Sequence, residues 1–291
     1  MPELPEVETV RRGLSELLPG LTVKSVKSDW AKSFPNAKND TEKFLIGAKI
    51  VQVRRRGKVL IIDLSTEYSL IIHLKMTGQL VFRSESAVFG AGHPTKSLLG
   101  ELPDKSTRVI LDLDGAKLFF NDQRKFGWVR LVPTLEIDNI DFFKKLGPEP
   151  LGDDFNAKNF RERLRKRPNS RIKPALLDQT VIAGVGNIYA DEALWGAMIH
   201  PEKRVREITD KNLSELYKEL LFVLRLAIEK GGSTDKNYVD AEGKKGSYLQ
   251  FARVFRRENL PCPRCGTTIE KIRVGGRGTH LCPRCQKSPA V

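Results

Sequence analysis

The sequence predicts an α+β chain of several domains. Three observations carry that prediction: a first half rich in short β-like runs, a helical pattern after about residue 152, and four cysteines confined to the tail. The first half reads as an antiparallel β-sandwich with a flanking helix, and the tail as a small metal-held hairpin. At 291 residues the chain has room for two domains, or for one large domain with appendages. Charged residues make up 30% and hydrophobic residues 40%, a balance that can bury a core.

The first element is a helix. Val7, Val10, Leu14, Leu17 and Leu18 recur at helical spacing, Pro5 suits a first turn that needs no amide hydrogen, and Pro19-Gly20 stops it. Short β-like runs come next: KIVQVRRR, KVLIIDL, SLIIHLKM, LVF, RVILDL, AKLFF and WVRLV. Asp114-Gly115 between RVILDL and AKLFF is a two-residue hairpin connector. Residues 84–106, rich in Gly, Ser, Pro and Lys, read as a long surface loop. These elements make an N-terminal domain over 1–132, with 133–151 as a linker holding a helical turn or two.

A helical domain is expected over 152–258. Leu213, Leu216, Leu220, Val223, Leu224 and Ile228 share one helix face, ended by Gly231-Gly232. Residues 231–250 read as a mobile loop inside this domain. The tail is 259–291, where Cys262-x2-Cys265-x16-Cys282-x2-Cys285 gives two tight knuckles that converge two thiolates each on one tetrahedral Zn²⁺. Two disulfides or a redox Cys-x-x-Cys are the other readings of that spacing. Four thiolates leave no open coordination position, so such a zinc is architectural. Between the knuckles two short strands should flank a Gly-rich tip, with Arg273 and Arg277 projecting from it and Arg264 and Arg284 on the knuckles.

The charge limits the partners. There are 50 Lys and Arg against 36 Asp and Glu, a formal charge of +14. That excess favours a polyanion, either nucleic acid or an anionic membrane surface. No apolar run approaches the roughly 18 residues a membrane span needs, and no basic-then-apolar secretory leader opens the sequence. Both point to the cytosol, where thiols stay reduced. Nothing in the sequence calls for a redox or organic cofactor. Gly184-x-Gly186-Asn187 precedes a helical stretch and offers an anion site at a helix start, although Asn187 reads equally as a plain N-cap. Upstream, Arg161, Arg163, Arg165, Lys166, Arg167, Arg171 and Lys173 crowd one segment, as a phosphate-backbone groove requires.

PELPEVE at the N-terminus, Gly57-Lys58, GVGNIYADE at 184–192 and GGRGTHLCPRCQ in the tail together resemble bacterial formamidopyrimidine-DNA glycosylase. The likeness runs in order over nearly the whole chain. The resemblance implies an N-terminal β-sandwich, a helix-two-turn-helix module and a zinc-finger hairpin. It also implies a bifunctional repair enzyme that removes oxidised purines from double-stranded DNA and cleaves abasic sites, acting as a monomer in the bacterial cytosol. The sister branch, endonuclease VIII, takes oxidised pyrimidines and usually has Gly where this chain has Leu4. Some relatives are non-catalytic zinc-containing DNA binders that lack the Pro or the Glu, both of which stand here.

By the same resemblance Pro2, exposed as the N-terminus once Met1 is removed, is the nucleophile, Glu3 the proton donor and acceptor, and Glu6 a supporting carboxylate. Lys58, Asn187 and Arg277 would hold phosphates beside the lesion. Met76, Arg124 and Phe126 would fill the gap left by the everted base, and Lys173 would lie near the lesion. Tyr238, Ser247 and Tyr248 would line the loop that closes over it. His73, in a strand-like run, reads as structural, and no catalytic motif falls in 84–106.

Overall fold

A computed structural model of the chain describes residues 1–93, 95–233 and 248–288. It divides into two compact units: Met1–Lys144 with Ile228–Ser247, and Lys145–Ala227 with Tyr248–Val291.

The first unit is the expected antiparallel assembly of two sheets with a flanking helix, Leu4–Leu17. One sheet has the order β1-β7-β8-β5-β6, with β1 Val23–Ser28, β5 Gly78–Ser84, β6 Val88–Gly92, β7 Thr107–Leu113 and β8 Ala116–Asp122. The other has the order β2-β3-β4-β9, with β2 Ile50–Arg56, β3 Val59–Leu64, β4 Tyr68–His73 and β9 Trp128–Pro133. Every pairing in them is antiparallel. The β7–β8 hairpin closes at Leu113↔Ala116 with Gly115 at φ 69°, the left-handed region that glycine enters without cost. Val7, Val10 and Leu14 of the helix pack with Leu60, Ile62, Leu70, Ile72, Leu80, Phe82, Leu111 and Phe120 in one core. Each fully buried Leu, Val, Ile or Phe side chain contributes about 1.5–3 kcal/mol relative to exposure.

Residues 84–106 correct the sequence reading. They are not a structureless loop: β6 adds an edge strand to β5, pairing Phe82↔Phe89. Phe89 is buried against the first helix, where a Cβ on Gly13 would collide with its ring. Leu98 joins Val81 and Phe119 in a small apolar cluster. Ser97 and Ser106 bond the Asp104 carboxylate at 2.5 and 2.6 Å. The turn-forming composition is real, but tertiary packing of a few apolar residues organises the segment.

The second unit is built on the helices Ala157–Arg165, Ile172–Leu177, Asn187–Gly196 and Asp210–Glu229. Leu213, Leu216, Leu220, Val223 and Leu224 line the buried face of the last of these; Ala227 is buried there and Ile228 only half-buried. A two-stranded ribbon, β10 Glu270–Val274 with β11 Arg277–Leu281, turns at Gly275-Gly276, both at positive φ. Glu192, fully buried, accepts the backbone N–H groups of Arg253, Val254 and Phe255 at 2.8–2.9 Å and so fixes where the tail leaves the helices.

Candidate active site

The site begins at the start of the first helix. Pro2 and Glu3 are both buried, and Glu3 is the N-cap in extended conformation. The Glu3 backbone N–H donates to Glu6 Oε2 at 2.8 Å, and Glu6 Oε1 accepts the N–H of Ser233 at 2.8 Å. One buried carboxylate thus secures the Pro2-Glu3 segment with one oxygen and the Gly231–Ser233 turn with the other. Burial pushes the neighbouring Glu8 carboxyl up in pKa, but its hydrogen bonds and charge contacts with Arg11 and Arg55 outweigh that and leave it below the ordinary glutamate value. Arg55 meets Glu8 at 3.2 Å and donates to the Gly57 carbonyl at 2.8 Å. Gly57 turns at φ 58°, and Lys58 comes directly after it, almost fully buried. The chain Glu8–Arg55–Gly57 therefore fixes the Lys58 turn to the helix that carries Pro2.

His73 closes this neighbourhood. Its Nδ1 accepts the Lys75 N–H at 3.0 Å, and Trp128 and Phe142 contact its ring edge-on. Burial, with the charges of Lys75 and Lys58, pushes its pKa down to about 3, so the ring is neutral at physiological pH.

Two loops of the same unit carry the expected gap-filling residues. Met76 is half-buried in the Leu74–Gly78 turn. Arg124 and Phe126 are exposed, Phe126 at 52%, with the guanidinium of Arg124 stacked 4.8 Å from the Phe126 ring. Neither Met76 nor Phe126 belongs to the core.

In the second unit Asn187 is the first residue of its helix, and Gly186, not Asn187, is the cap. Asn187 Nδ2 donates to the Gly278 carbonyl at 3.1 Å, next to exposed Arg277 at the ribbon tip. Lys173 departs from the DNA-facing place expected for it. It is fully buried, and its ammonium lies 2.6 Å from Asp191, 2.7 Å from the Thr279 hydroxyl and 3.1 Å from the Gly278 carbonyl. There Lys173 ties the helical module to the hairpin. Tyr248, expected to line the closing loop, is 1% exposed and packs edge-on to Tyr189 in the helical core. Tyr238 and Ser247 lie outside the described residues.

The four cysteine sulfurs lie within 4.8 Å of one another. Cys265 Sγ is 3.5 Å from Cys282 Sγ and 3.4 Å from Cys285 Sγ, and Cys262 Sγ is 4.0 Å from Cys285 Sγ. Disulfides need about 2.05 Å, whereas a tetrahedron with Zn–S bonds of about 2.3 Å sets its sulfurs about 3.8 Å apart. The donor chemistry agrees. Burial and the neighbouring sulfurs push Cys285 up to about 12, while bonds to Thr267 bring Cys265 down to about 6. Four thiols this close can all ionise only around a shared cation. Trp195 Nε1 donates to Cys262 Sγ at 3.4 Å, and Gln286 ties the second knuckle to the Ile199 carbonyl at 2.9 Å. The residues fit one structural Zn²⁺, which would fix the ribbon and take no part in chemistry.

Three family models match in order along the chain: the formamidopyrimidine-DNA glycosylase N-terminal domain over 1–129, its H2TH domain over 146–238, and the zinc finger found in FPG and IleRS over 259–287. The chain belongs to the formamidopyrimidine-DNA glycosylase family. It is 44% identical to the formamidopyrimidine-DNA glycosylase of Pelotomaculum thermopropionicum over 99% of both chains, and 43% identical to that of Pediococcus pentosaceus over 98% and 99%. Its fold matches a mutant of the Lactococcus lactis enzyme in complex with DNA containing Fapy-dG, with TM-score 0.87 and 37% identity over 99% and 100% of the chains. A structure of MutM with DNA containing carbocyclic 8-oxo-G matches at TM-score 0.86 and 36% identity over 99% and 100%.

Sequence reasoning missed the carboxylates that stand behind the expected residues of this glycosylase fold. Asp191 and Asp122 are fully buried and Glu8 nearly so. Asp122 sits two residues before Arg124, a spacing that hints at a turn closed by its own side chain. Glu8 has local partners in Arg11 and Arg12, but its contact with Arg55, like that of Asp191 with Lys173, joins residues distant in sequence and no local pattern marks it.

Proposed function

We propose that this chain excises oxidised purines, 8-oxoguanine and formamidopyrimidines, from double-stranded DNA and cleaves the resulting abasic site, with Pro2 as nucleophile. One observation carries the reading. Pro2 and Glu3 are held at a capped helix start by Glu6, on the helix to which Arg55 ties the Lys58 turn. The DNA in complexes of similar proteins, containing Fapy-dG, an abasic site or 8-oxo-G, supports the substrate class. The chemistry needs no redox or organic cofactor. Among the described residues no helix is long and apolar enough to cross a membrane. The substrate puts the enzyme where bacterial DNA is, in the cytosol, and one chain carries every group the reaction calls on, so it acts as a monomer.

With Met1 attached, the Pro2 nitrogen is an amide and not nucleophilic; removal of Met1 frees a secondary amine. An α-amino group has a pKa of about 8, so a usable fraction is neutral at pH 7. The amine attacks C1′ as the C1′–N bond to the base breaks and the base leaves with a proton. Glu3 protonates the ring oxygen, the deoxyribose opens, and an iminium joins C1′ to Pro2. That cation is the electron sink for two eliminations. Loss of a C2′ proton expels the 3′ phosphate, and a second elimination expels the 5′ phosphate. The product is a one-nucleotide gap with phosphates at both ends. Lys58, Asn187 and Arg277 hold flanking phosphates. Phe126 and Met76 wedge the stack open, and Arg124 bonds the orphaned cytosine, which stabilises the everted lesion.

Borohydride reduction in the presence of an 8-oxoguanine:C duplex should trap a covalent adduct that maps to Pro2 by mass spectrometry. Processed protein without an adduct, or a fully active protein that keeps Met1, refutes the assignment. Faster cleavage of thymine-glycol DNA would instead place the chain with the pyrimidine-specific branch.

A further inference from the structure

We propose that Asp122 is a positioning residue that sets the Met76 turn and the Arg124–Phe126 loop as a single unit, so that the gap-filling side chains act together. The inference rests on the function proposed above; its geometry does not. Asp122 ends β8 and is fully buried. Its Oδ2 accepts the N–H groups of Phe126 and Gly127 at 2.8 and 2.6 Å. Its Oδ1 accepts the Arg124 N–H at 3.2 Å and the Thr77 hydroxyl. The Thr77 oxygen also accepts the Arg124 N–H, at 3.1 Å. One carboxylate therefore closes its own loop and, through Thr77, the neighbouring turn that displays Met76. The main chain of Asp122 is itself anchored: its N–H donates to the Ser106 carbonyl at 2.7 Å, and its carbonyl accepts from Arg108 Nε at 2.9 Å.

The rest of the loop shows what this fixing is for. Lys125 is held at φ 57°, a left-handed conformation that non-glycine residues adopt rarely. A Cβ on Gly127 would meet the Phe120 ring, the His73 carbonyl and Asp122 Oδ2, so the loop closes against the strands on that side. At its outer side Phe126 is half in water with Arg124 stacked on it. An aromatic ring left this exposed on a loop this constrained is displayed for a partner, not packed in a core. Pre-ordering it removes side-chain and loop entropy that binding would otherwise have to overcome.

Asp122→Asn replaces one acceptor oxygen by an amide that cannot accept, so either the Phe126 and Gly127 N–H groups lose their acceptor, or the Thr77 hydroxyl does while the Arg124 N–H keeps only Thr77. Thr77→Val removes the hydroxyl that links the Met76 turn to both Asp122 and the Arg124 N–H, and Thr77→Ser keeps it. In the full chain, single-turnover excision from 8-oxoguanine:C should fall about 10- to 100-fold in Asp122→Asn and Thr77→Val, the range expected for one or two lost bonds to a charged group. Thr77→Ser should keep the wild-type rate. The preference for C over A opposite the lesion should shrink in the same two variants, while borohydride trapping at a preformed abasic site falls less than excision does. Parallel losses on all substrates with the opposite-base ratio unchanged would overturn the proposal, as would an unaffected Thr77→Val. If Asp122→Asn does not fold, the Thr77 pair still decides. Failure of the functional reading shows separately, as a wild-type chain that neither excises nor traps.

Discussion

The buried pair Lys173–Asp191 allows a sharp test of how the zinc ribbon is held. Both side chains are 0% exposed and their charged atoms lie 2.6 Å apart. Asp191→Asn preserves shape and keeps an oxygen for the His280 N–H, which Asp191 accepts at 2.9 Å. It leaves the Lys173 ammonium with the Thr279 hydroxyl and the Gly278 carbonyl as its neutral partners. Breaking a buried pair by removing one partner costs about 3–5 kcal/mol, because an uncompensated charge stays inside. An exposed pair such as Lys218–Glu215, at 71% and 50% exposure, is worth about 0–1 kcal/mol. Domain stabilities are about 5–15 kcal/mol, so the expected loss is a large share of the whole. Urea denaturation monitored by tryptophan fluorescence reads it, since Trp195 packs with Cys262 and Cys282 in the ribbon core. Lys173→Met combined with Asp191→Asn leaves no buried charge and should cost less than Asp191→Asn alone. A loss below about 1 kcal/mol in the single variant, or simple additivity in the double, would refute the claim that a desolvated charge pair fastens the ribbon.

Three other outcomes are expected of the same structure. His73 has a folded pKa of about 3 against an ordinary 6.5, so the unfolded chain takes up a proton first as pH falls; stability present above pH 6.5 is lost towards pH 3. His73→Asn keeps an acceptor for the Lys75 N–H and should remove up to about 1.4 kcal/mol per pH unit from that slope, read from urea midpoints; an unchanged slope would show that His73 is not buried neutral. Cys282→Ser should release zinc, measured by a metallochromic dye, and weaken DNA binding; unchanged affinity would deny the ribbon a role. Arg277→Ala should reduce the slope of log affinity against log salt by about one while leaving lesion preference intact; a changed preference with an unchanged slope would mean that Arg277 reads bases.

Local signals were legible and non-local ones were not. The cysteine knuckles, the Asp114-Gly115 hairpin and the first helix were readable because spacing and turn chemistry act within a few residues. Residues 84–106 were misread because Val88–Gly92 becomes a strand only through β5 and Gly13, both outside that segment's own pattern. Lys173 stands in a basic cluster that reads as a phosphate-backbone groove, yet it faces Asp191, 18 residues further on. Tyr248 lay in a polar, glycine-rich run, and only its packing on Tyr189 shows it to be core.

The Lys173 misreading points to a wider pattern, which also accounts for the acidic opening of a chain with a +14 charge. Behind four of the segments assigned to DNA or to chemistry stands a buried or nearly buried carboxylate. Glu6 holds the Pro2-Glu3 segment, Glu8 fixes the Lys58 turn through Arg55, Asp122 sets Arg124 and Phe126, and Asp191 holds the Arg277 ribbon through Lys173. A long cation free to rotate gives up about 1.5–2 kcal/mol of rotamer entropy when it is fixed. Fixing the backbone beneath it during folding spares part of the ordering cost at the moment of binding. Composition sees only the sum of charges, in which these acids count against DNA binding. At these four places the structure sets an acid beneath the displayed segment, where it keeps that segment aimed.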